Sequence, residues 1–163
     1  VDSTESTDSG TDVWAKQLRL QATATNAAVG SSSNALETEV ATLSANVGTG
    51  GLYITEATDI TVGQTGDVVV NRVKTDGTVT TSTQTDLSQT NMTSGAALVL
   101  QTVAGSVTTQ ATTGVITAAG NLLLKAGGSS SDITLGAAGQ RILKRGSSQR
   151  TPRAPSGRWK SLM

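Results

Sequence analysis

Residues 51–63 read GLYITEATDITVG, and residues 121–136 read NLLLKAGGSSSDITLG. Each stretch begins with aliphatic side chains, passes through a polar segment and ends on Asp-Ile-Thr, an aliphatic residue and Gly. Apolar runs this short are typical of strands and are too short for helices. The recurrence of the pattern predicts two equivalent coils of a repeating β structure.

Short apolar runs of the same kind recur along the rest of the chain, and Gly separates most of them. Gly supplies the positive φ that a sharp turn requires. A coil of two or three short strands cannot bury its apolar face alone, so successive coils must stack at about 4.8 Å. We therefore predict an all-β fold, a β-solenoid of about five or six coils over residues 13–139, at roughly 20–25 residues per coil. A two-sheet β-sandwich is the alternative.

The composition excludes several kinds of chemistry. The chain has 28 Thr, 18 Ser and 18 Gly but no Cys, His or Phe. The chain therefore cannot form disulfides or zinc fingers, and it cannot use Ser-His-Asp or Cys-His catalysis. With aromatic residues at 2%, a stacking platform for single-stranded nucleic acid is not expected.

The net charge of zero hides a strong asymmetry. Residues 1–139 carry 12 carboxylates and 5 basic side chains, a net charge of −7, and residues 140–163 carry 7 basic side chains and no acid. Those seven are Arg141, Lys144, Arg145, Arg150, Arg153, Arg158 and Lys160. We predict a disordered basic tail over 140–163, with a segment foreign to the domain and a weak, non-specific nucleic-acid arm as alternatives.

Three other segments stand apart from the repeat. Residues 1–12 are predicted to be a flexible acidic lead-in, and residues 75–94 a Thr/Ser-rich insert with few apolar side chains. Asn34 followed by Glu37 has the spacing of a capping box, which predicts a short helical turn. The chain shows neither an export signal nor an apolar run long enough to span a membrane, and it lacks an initiator Met. These features predict an internal piece of a longer exported chain.

Carboxylate pairs are the best catalytic candidates in the sequence. Glu56 with Asp59, or Asp67 with Asp132 across coils, could serve a polysaccharide lyase or a glycosidase. Solvated turn residues are the simpler interpretation, so we predict no catalytic residue and no enzyme activity. Residues 127–134 depart from the calcium nonapeptide at Ser130, and we predict no metal and no cofactor site.

Two further patterns have structural interpretations. Asn26, Asn71 and Asn121 could stack as a turn-stabilising ladder. The Thr-x-Thr triplets Thr78-Thr80 and Thr83-Thr85, which could suggest an ice-binding array, lie inside the irregular insert and not at a coil period.

The sequence also resembles a known family. Residues 34–43 read NALETEVATL and lead into residues 50–63, GGLYITEATDITVG. Together with residues 120–128, GNLLLKAGG, they resemble the repeat region of large bacterial exoproteins of the filamentous haemagglutinin type over about residues 12–138. The resemblance implies a right-handed parallel β-helix, and it defines no catalytic or ligand residue.

The resemblance implies a function as well. We expect a structural or adhesive repeat module of a long exoprotein at the bacterial cell surface or outside the cell. Its extended polar face would contact glycans or the surface proteins of host or neighbouring cells. A polysaccharide-active β-helix enzyme, a lyase or glycosidase, is the alternative.

Overall fold

The computed structural model describes residues 10–67, 71–81, 87–136 and 143–144, and every regular element among them is a β-strand. The strands are β1 (Val13–Ala22), β2 (Ala28–Val29), β3 (Leu36–Val47), β4 (Gly51–Glu56), β5 (Ile60–Val62), β6 (Asn71–Val73), β7 (Val79–Thr81), β8 (Met92–Ser94), β9 (Leu98–Thr102), β10 (Val107–Thr109), β11 (Ile116–Ala118), β12 (Leu122–Lys125), β13 (Ile133–Thr134) and β14 (Leu143–Lys144). The predicted all-β class is confirmed.

Twelve of these strands form one sheet in which every strand pair is parallel. Strand β3 shows how the sheet curves. On one side it pairs with β1 along most of its length, and on the other side it meets β4, β5 and β8 in succession. A strand that meets three separate neighbours along one edge must bend around the interior. The sheet is therefore nearly closed and solenoid-like, and its parallel pairing is unlike the antiparallel sheets of a sandwich.

The repeat seen in the sequence is confirmed by the strand register. Leu52 pairs with Leu98, and Leu98 pairs with Leu122, 24 residues further along the chain. On another part of the sheet, Thr61 pairs with Thr108 and Thr108 pairs with Thr134. Equivalent residues of successive coils thus lie in columns across the sheet.

The interior is built from the inward members of these columns. Fourteen apolar side chains are almost completely buried: Val40, Leu43, Ala45, Val47, Leu52, Ile54, Ile60, Val62, Met92, Leu98, Leu100, Val107, Ile116 and Ala118. They alternate along each strand with more exposed residues, as the buried–intermediate–buried pattern of β5, β8, β10 and β11 shows. Period-2 alternation places one face of each strand inside and the other outside.

Gly105 shows why the turns need glycine. A Cβ at this position would overlap the backbone of Thr58 and Asp59 in the coil below. The turn after β9 can lie against the turn after β4 only because Gly105 has no side chain.

The insert is a hairpin that projects between β5 and β8. Strands β6 and β7 are antiparallel, and the turn between them is closed by the Gly77 N–H donating to the Lys74 carbonyl at 2.9 Å. At the base of the insert the Thr65 N–H donates to the Gln89 carbonyl at 2.9 Å. The predicted insert, 75–94, ends with the three residues of β8. Strand β8 belongs to the main sheet, because it pairs with β3 and β11 and its Met92 is wholly buried.

The predicted helical turn at Asn34 is wrong. Leu36 begins the long strand β3, where it pairs with Ile54. Strand pairing with β4 thus overrides the local capping signal.

The predicted terminal segments lie mostly outside the described residues. Of the lead-in, Asp12 is bonded to β3, because its N–H donates to the Glu37 carbonyl at 2.9 Å. Of the basic tail, the backbone of β14 pairs with β11.

We expect Leu98→Ala to lower the free energy of unfolding by about 2–5 kcal/mol, because Leu98 is wholly buried between two other leucines. Leu123→Ala is the matched control, because Leu123 is on the neighbouring strand β12 with 48% of its surface exposed. Its effect should stay within about 1 kcal/mol. Urea unfolding followed by circular dichroism measures both, and equal losses would contradict the assignment of inner and outer faces.

We expect the pKa of Asp76 in the hairpin turn to lie below its ordinary value. The Thr78 hydroxyl and the Thr78 N–H both donate to one Asp76 oxygen, at 2.7 and 2.9 Å, and both bonds favour the charged carboxylate. A lowered pKa in the folded state means that the hairpin is stabilised above the ordinary pKa and loses this contribution as the pH falls through the lowered value. NMR titration should show the pKa return toward its ordinary value in Thr78→Val, and an unchanged pKa would contradict the bond.

Candidate functional site

A groove with chemically diverse side chains lies at β1 and β3, beside the turn before β5. It has a volume of about 530 Å³. Its lining residues are Trp14, Ala15, Lys16, Glu39, Val40, Ala41, Thr58 and Asp59. We call it the Trp14 groove.

Strand alternation places the indole in this groove. Val13 and Ala15 pack against the core cluster, so Trp14 between them points outward, and 81% of its surface is exposed. Trp14 pairs in register with Glu39 of β3. The indole thus presents a large apolar ring with a polar N–H tip to the solvent at this groove.

Charged groups of both signs line the same groove. Lys16 is exposed and supplies an ammonium donor, and Glu39 and Asp59 supply carboxylate acceptors. Asp59 is held in place, because it accepts a hydrogen bond from the Ser106 N–H at 2.6 Å. The groove therefore combines a flat aromatic surface with charged groups of both signs, of which the Asp59 carboxylate is held by a hydrogen bond.

Glu56 does not join Asp59 in a catalytic pair. Its side chain is completely buried, whereas Asp59 is exposed. The Glu56 carboxylate accepts hydrogen bonds from the Thr38 hydroxyl at 2.6 Å and from the Val40 N–H at 3.1 Å. It also accepts from the N–H and the hydroxyl of Thr58, both at 3.3 Å. Glu56 therefore joins the turn after β4 to strand β3, and this carboxylate has a structural role.

The second pair, Asp67 and Asp132, occupies two different parts of the chain. Asp67 accepts from the Ser88 N–H at 2.5 Å, beside the insert. Asp132 precedes β13, and the register of β13 with β10 and of β10 with β5 aligns it with Ser106 and Asp59. The structure thus aligns Asp132 with Asp59, which lines the Trp14 groove.

The predicted asparagine ladder is wrong. Asn26 has a positive φ of 63° and lies in the turn before β2, where its N–H is bonded to Thr49. Asn71 begins β6 of the hairpin, and Asn121 precedes β12, in a column with Ala97. The three residues therefore occupy unrelated places along the backbone.

A threonine column that the sequence pattern did not reveal runs along the outer face. Thr42, Thr61, Thr108 and Thr134 pair in succession. The positions two residues before the last three hold Asp59, Ser106 and Asp132, so no Thr-x-Thr array forms there. In residues 10–67, 71–81, 87–136 and 143–144, no three His, Cys, Asp or Glu side chains come together as metal ligands.

Comparison of the chain with protein-family models, curated proteins and solved structures found no match. The described part of the chain has no helix long and apolar enough to cross a membrane. The resemblance to filamentous haemagglutinin-type exoproteins therefore stays a prediction.

Sequence reasoning missed the Trp14 groove. The signal was present in β1, where a Trp alternates with the inward residues Val13 and Ala15 on an otherwise polar face. That Glu39 and Asp59 line the groove with Trp14 could not be predicted from the sequence. Glu39 lies beside Trp14 because of the 25-residue register between β1 and β3, and Asp59 does so because of the position of the turn before β5.

We expect Glu56→Ala to lower the free energy of unfolding by about 3 kcal/mol, because the buried Thr38 hydroxyl and the buried Val40 N–H lose their acceptor. Glu39→Ala, which removes a carboxylate from the outer face, should cost less than about 1 kcal/mol. Chemical denaturation of both variants makes the comparison. A Glu56→Ala protein as stable as Glu39→Ala would contradict the structural role.

Proposed function

We propose that the chain is a repeat module of a large exoprotein at the bacterial cell surface or outside the cell, and that it contacts glycans through the Trp14 groove. The observation that carries the proposal is the exposed Trp14 ring beside Lys16, Glu39 and Asp59 on a sheet of stacked parallel strands. The fold in this proposal is a right-handed parallel β-helix of five or six coils. Parallel connections within a sheet are right-handed in about 98% of cases, which supports the handedness.

The chemistry of the groove fits a saccharide. The carbon-bound hydrogens on one face of a pyranose ring are apolar and slightly positive, and they complement the negative face of an indole. The hydroxyl groups around the ring's edge can donate to the carboxylates of Glu39 and Asp59 and accept from Lys16. Groups on neighbouring strands of a sheet are held at a fixed spacing, so they need little ordering when a ligand binds.

An adhesive role requires no catalytic group. Of the four candidate carboxylates, Glu56 is buried in the turn and Asp67 is bonded to the base of the insert. The remaining outer face consists mainly of Thr, Asn and Gln side chains in register. Such a face supports contacts with surface polysaccharides or with the surface proteins of host or neighbouring cells.

A polysaccharide lyase or glycosidase is the second candidate, and one observation favours it. Glu39, Asp59 and Lys16 line the same groove, so two carboxylates and an ammonium group face one bound sugar. The two functions differ in one measurable result. An enzyme releases reducing ends or unsaturated sugars from the polysaccharide it binds, whereas an adhesive module leaves that polysaccharide intact.

We expect the chain to bind members of a glycan array, and we expect Trp14→Ala to weaken the best-bound oligosaccharide about tenfold or more, a loss of at least about 1.4 kcal/mol. Val103→Ala is the matched control, because Val103 is an exposed apolar residue outside the groove. Isothermal titration measures both affinities. Full affinity in Trp14→Ala, or an array without any bound glycan, would contradict the proposal.

A further inference from the structure

The Trp14 groove holds more negative charge than positive charge. Glu39 and Asp59 contribute two carboxylates, and Lys16 contributes one ammonium group. Within the described ranges neither carboxylate is bonded to Lys16, so both charges remain for a ligand. The surrounding stretch, residues 10–67, carries six carboxylates and two basic side chains. The field at the groove therefore attracts cations and repels anions.

The Asp59 carboxylate is placed to accept a hydrogen bond from a ligand. Among the described residues it accepts one bond, from the Ser106 N–H to Oδ1 at 2.6 Å, which leaves Oδ2 for a ligand donor. Asp59 is exposed and Glu39 is half-buried. An ionised carboxylate only accepts hydrogen bonds, and an ammonium group only donates them. An ammonium group thus matches these two side chains both in charge and in hydrogen-bonding direction.

The Trp14 indole adds a second attraction for a cation. Its exposed ring has a negative π face, which attracts an ammonium group within about 6 Å of the ring centre. Glu39 is the register partner of Trp14, so the two backbones lie on neighbouring strands at about 4.8 Å. A sugar ring stacked on the indole therefore holds the substituents at its edge close to the Glu39 side of the groove.

We infer that the saccharide recognised by the Trp14 groove is a cationic amino sugar, a hexosamine whose amino group is free and protonated. This inference rests on the proposed function and names the class of glycan for the same site. The apolar face of the sugar stacks on Trp14, and its ammonium group donates to the carboxylates of Glu39 and Asp59. N-acetylation removes the positive charge and a uronic acid reverses it, so both weaken binding.

Isothermal titration of the full chain with a matched pair of oligosaccharides tests this inference. The glucosamine and N-acetylglucosamine pentasaccharides differ only in the acetylation of their amino groups. At about pH 5.5 the sugar amine is protonated, and carboxyl groups with an ordinary pKa of about 4 are ionised. We expect the glucosamine oligomer to bind at least about fivefold more tightly. This preference should nearly vanish at about 1 M NaCl, where the Debye length is about 3 Å.

Three variants assign the preference to named charges. Asp59→Asn should lower the ratio of the two affinities about threefold, and its amide oxygen can still accept from the Ser106 N–H. Lys16→Gln should raise the affinity for the glucosamine oligomer about twofold, because it removes a like charge from the groove. Asp67→Asn is the matched control and should leave the ratio unchanged. Asp67 is also an exposed carboxylate bonded to a backbone N–H, but it lies outside the groove.

The outcomes separate this inference from the proposed function. Equal or tighter binding of the N-acetylglucosamine oligomer, still lost in Trp14→Ala, would overturn the cationic specificity and leave glycan binding standing. A lysine pentapeptide that binds as tightly as the glucosamine oligomer would overturn it too, because the groove would then recognise charge without a sugar ring. So would an Asp67→Asn chain that loses the preference as Asp59→Asn does. Binding of neither oligosaccharide overturns the inference, and an array without any bound glycan overturns the proposed function with it.

Discussion

The fold depends on aliphatic side chains of successive coils packing on one another in register. A single coil of this chain has too few apolar residues to enclose a core, because its strands are short and only alternate residues face inward. Burial is achieved only when Leu52, Leu98 and their neighbours stack at the spacing of paired strands. The half-buried side chains of β1 and β12 are consistent with this rule, because among the described strands each of these two pairs with one neighbour alone.

The interior columns also explain where polar groups are found. Thr38, Glu56 and Thr102 form a polar column beside the aliphatic ones, and each is at most 3% exposed. Every one of them has a partner, such as the Thr102 hydroxyl, which donates to the Gly105 carbonyl and accepts from the Gly127 N–H. Buried polar groups are tolerated when they are bonded in this way, and here they hold the turns of neighbouring coils together. The function proposed for the chain uses the outward face of β1 and β3, where the side chains of the Trp14 groove face the solvent.

Much of the fold could be predicted from the sequence because its strongest signal is a repetition. The Asp-Ile-Thr echo placed residues 60–62 and 133–134 at equivalent positions, and the register of both with β10 confirms it. The length of β3 could not be predicted, because its path around the interior is decided by three different partners. The helical turn at Asn34 was wrong for the same reason, since a local capping signal is weaker than strand pairing.

The candidate site was harder to predict than the fold. In a sequence with few ionisable groups the carboxylates are the natural catalytic candidates. The residues next to Glu56 and Glu39 in the sequence do not show that Glu56 faces inward and Glu39 faces outward. The direction of each side chain is decided by the alternation within its strand and by the register between strands. Trp14 could have been identified from its place between two inward residues, and its neighbours in the groove could not.

The stacking of the leucine column can be tested most directly by NMR of selectively methyl-labelled leucines. The account predicts strong nuclear Overhauser effects from the Leu98 methyls to those of both Leu52 and Leu122, and none between Leu52 and Leu122, which are two coils apart. Missing contacts from Leu98, or a direct contact between Leu52 and Leu122, would contradict the stacking of successive coils on which the fold depends.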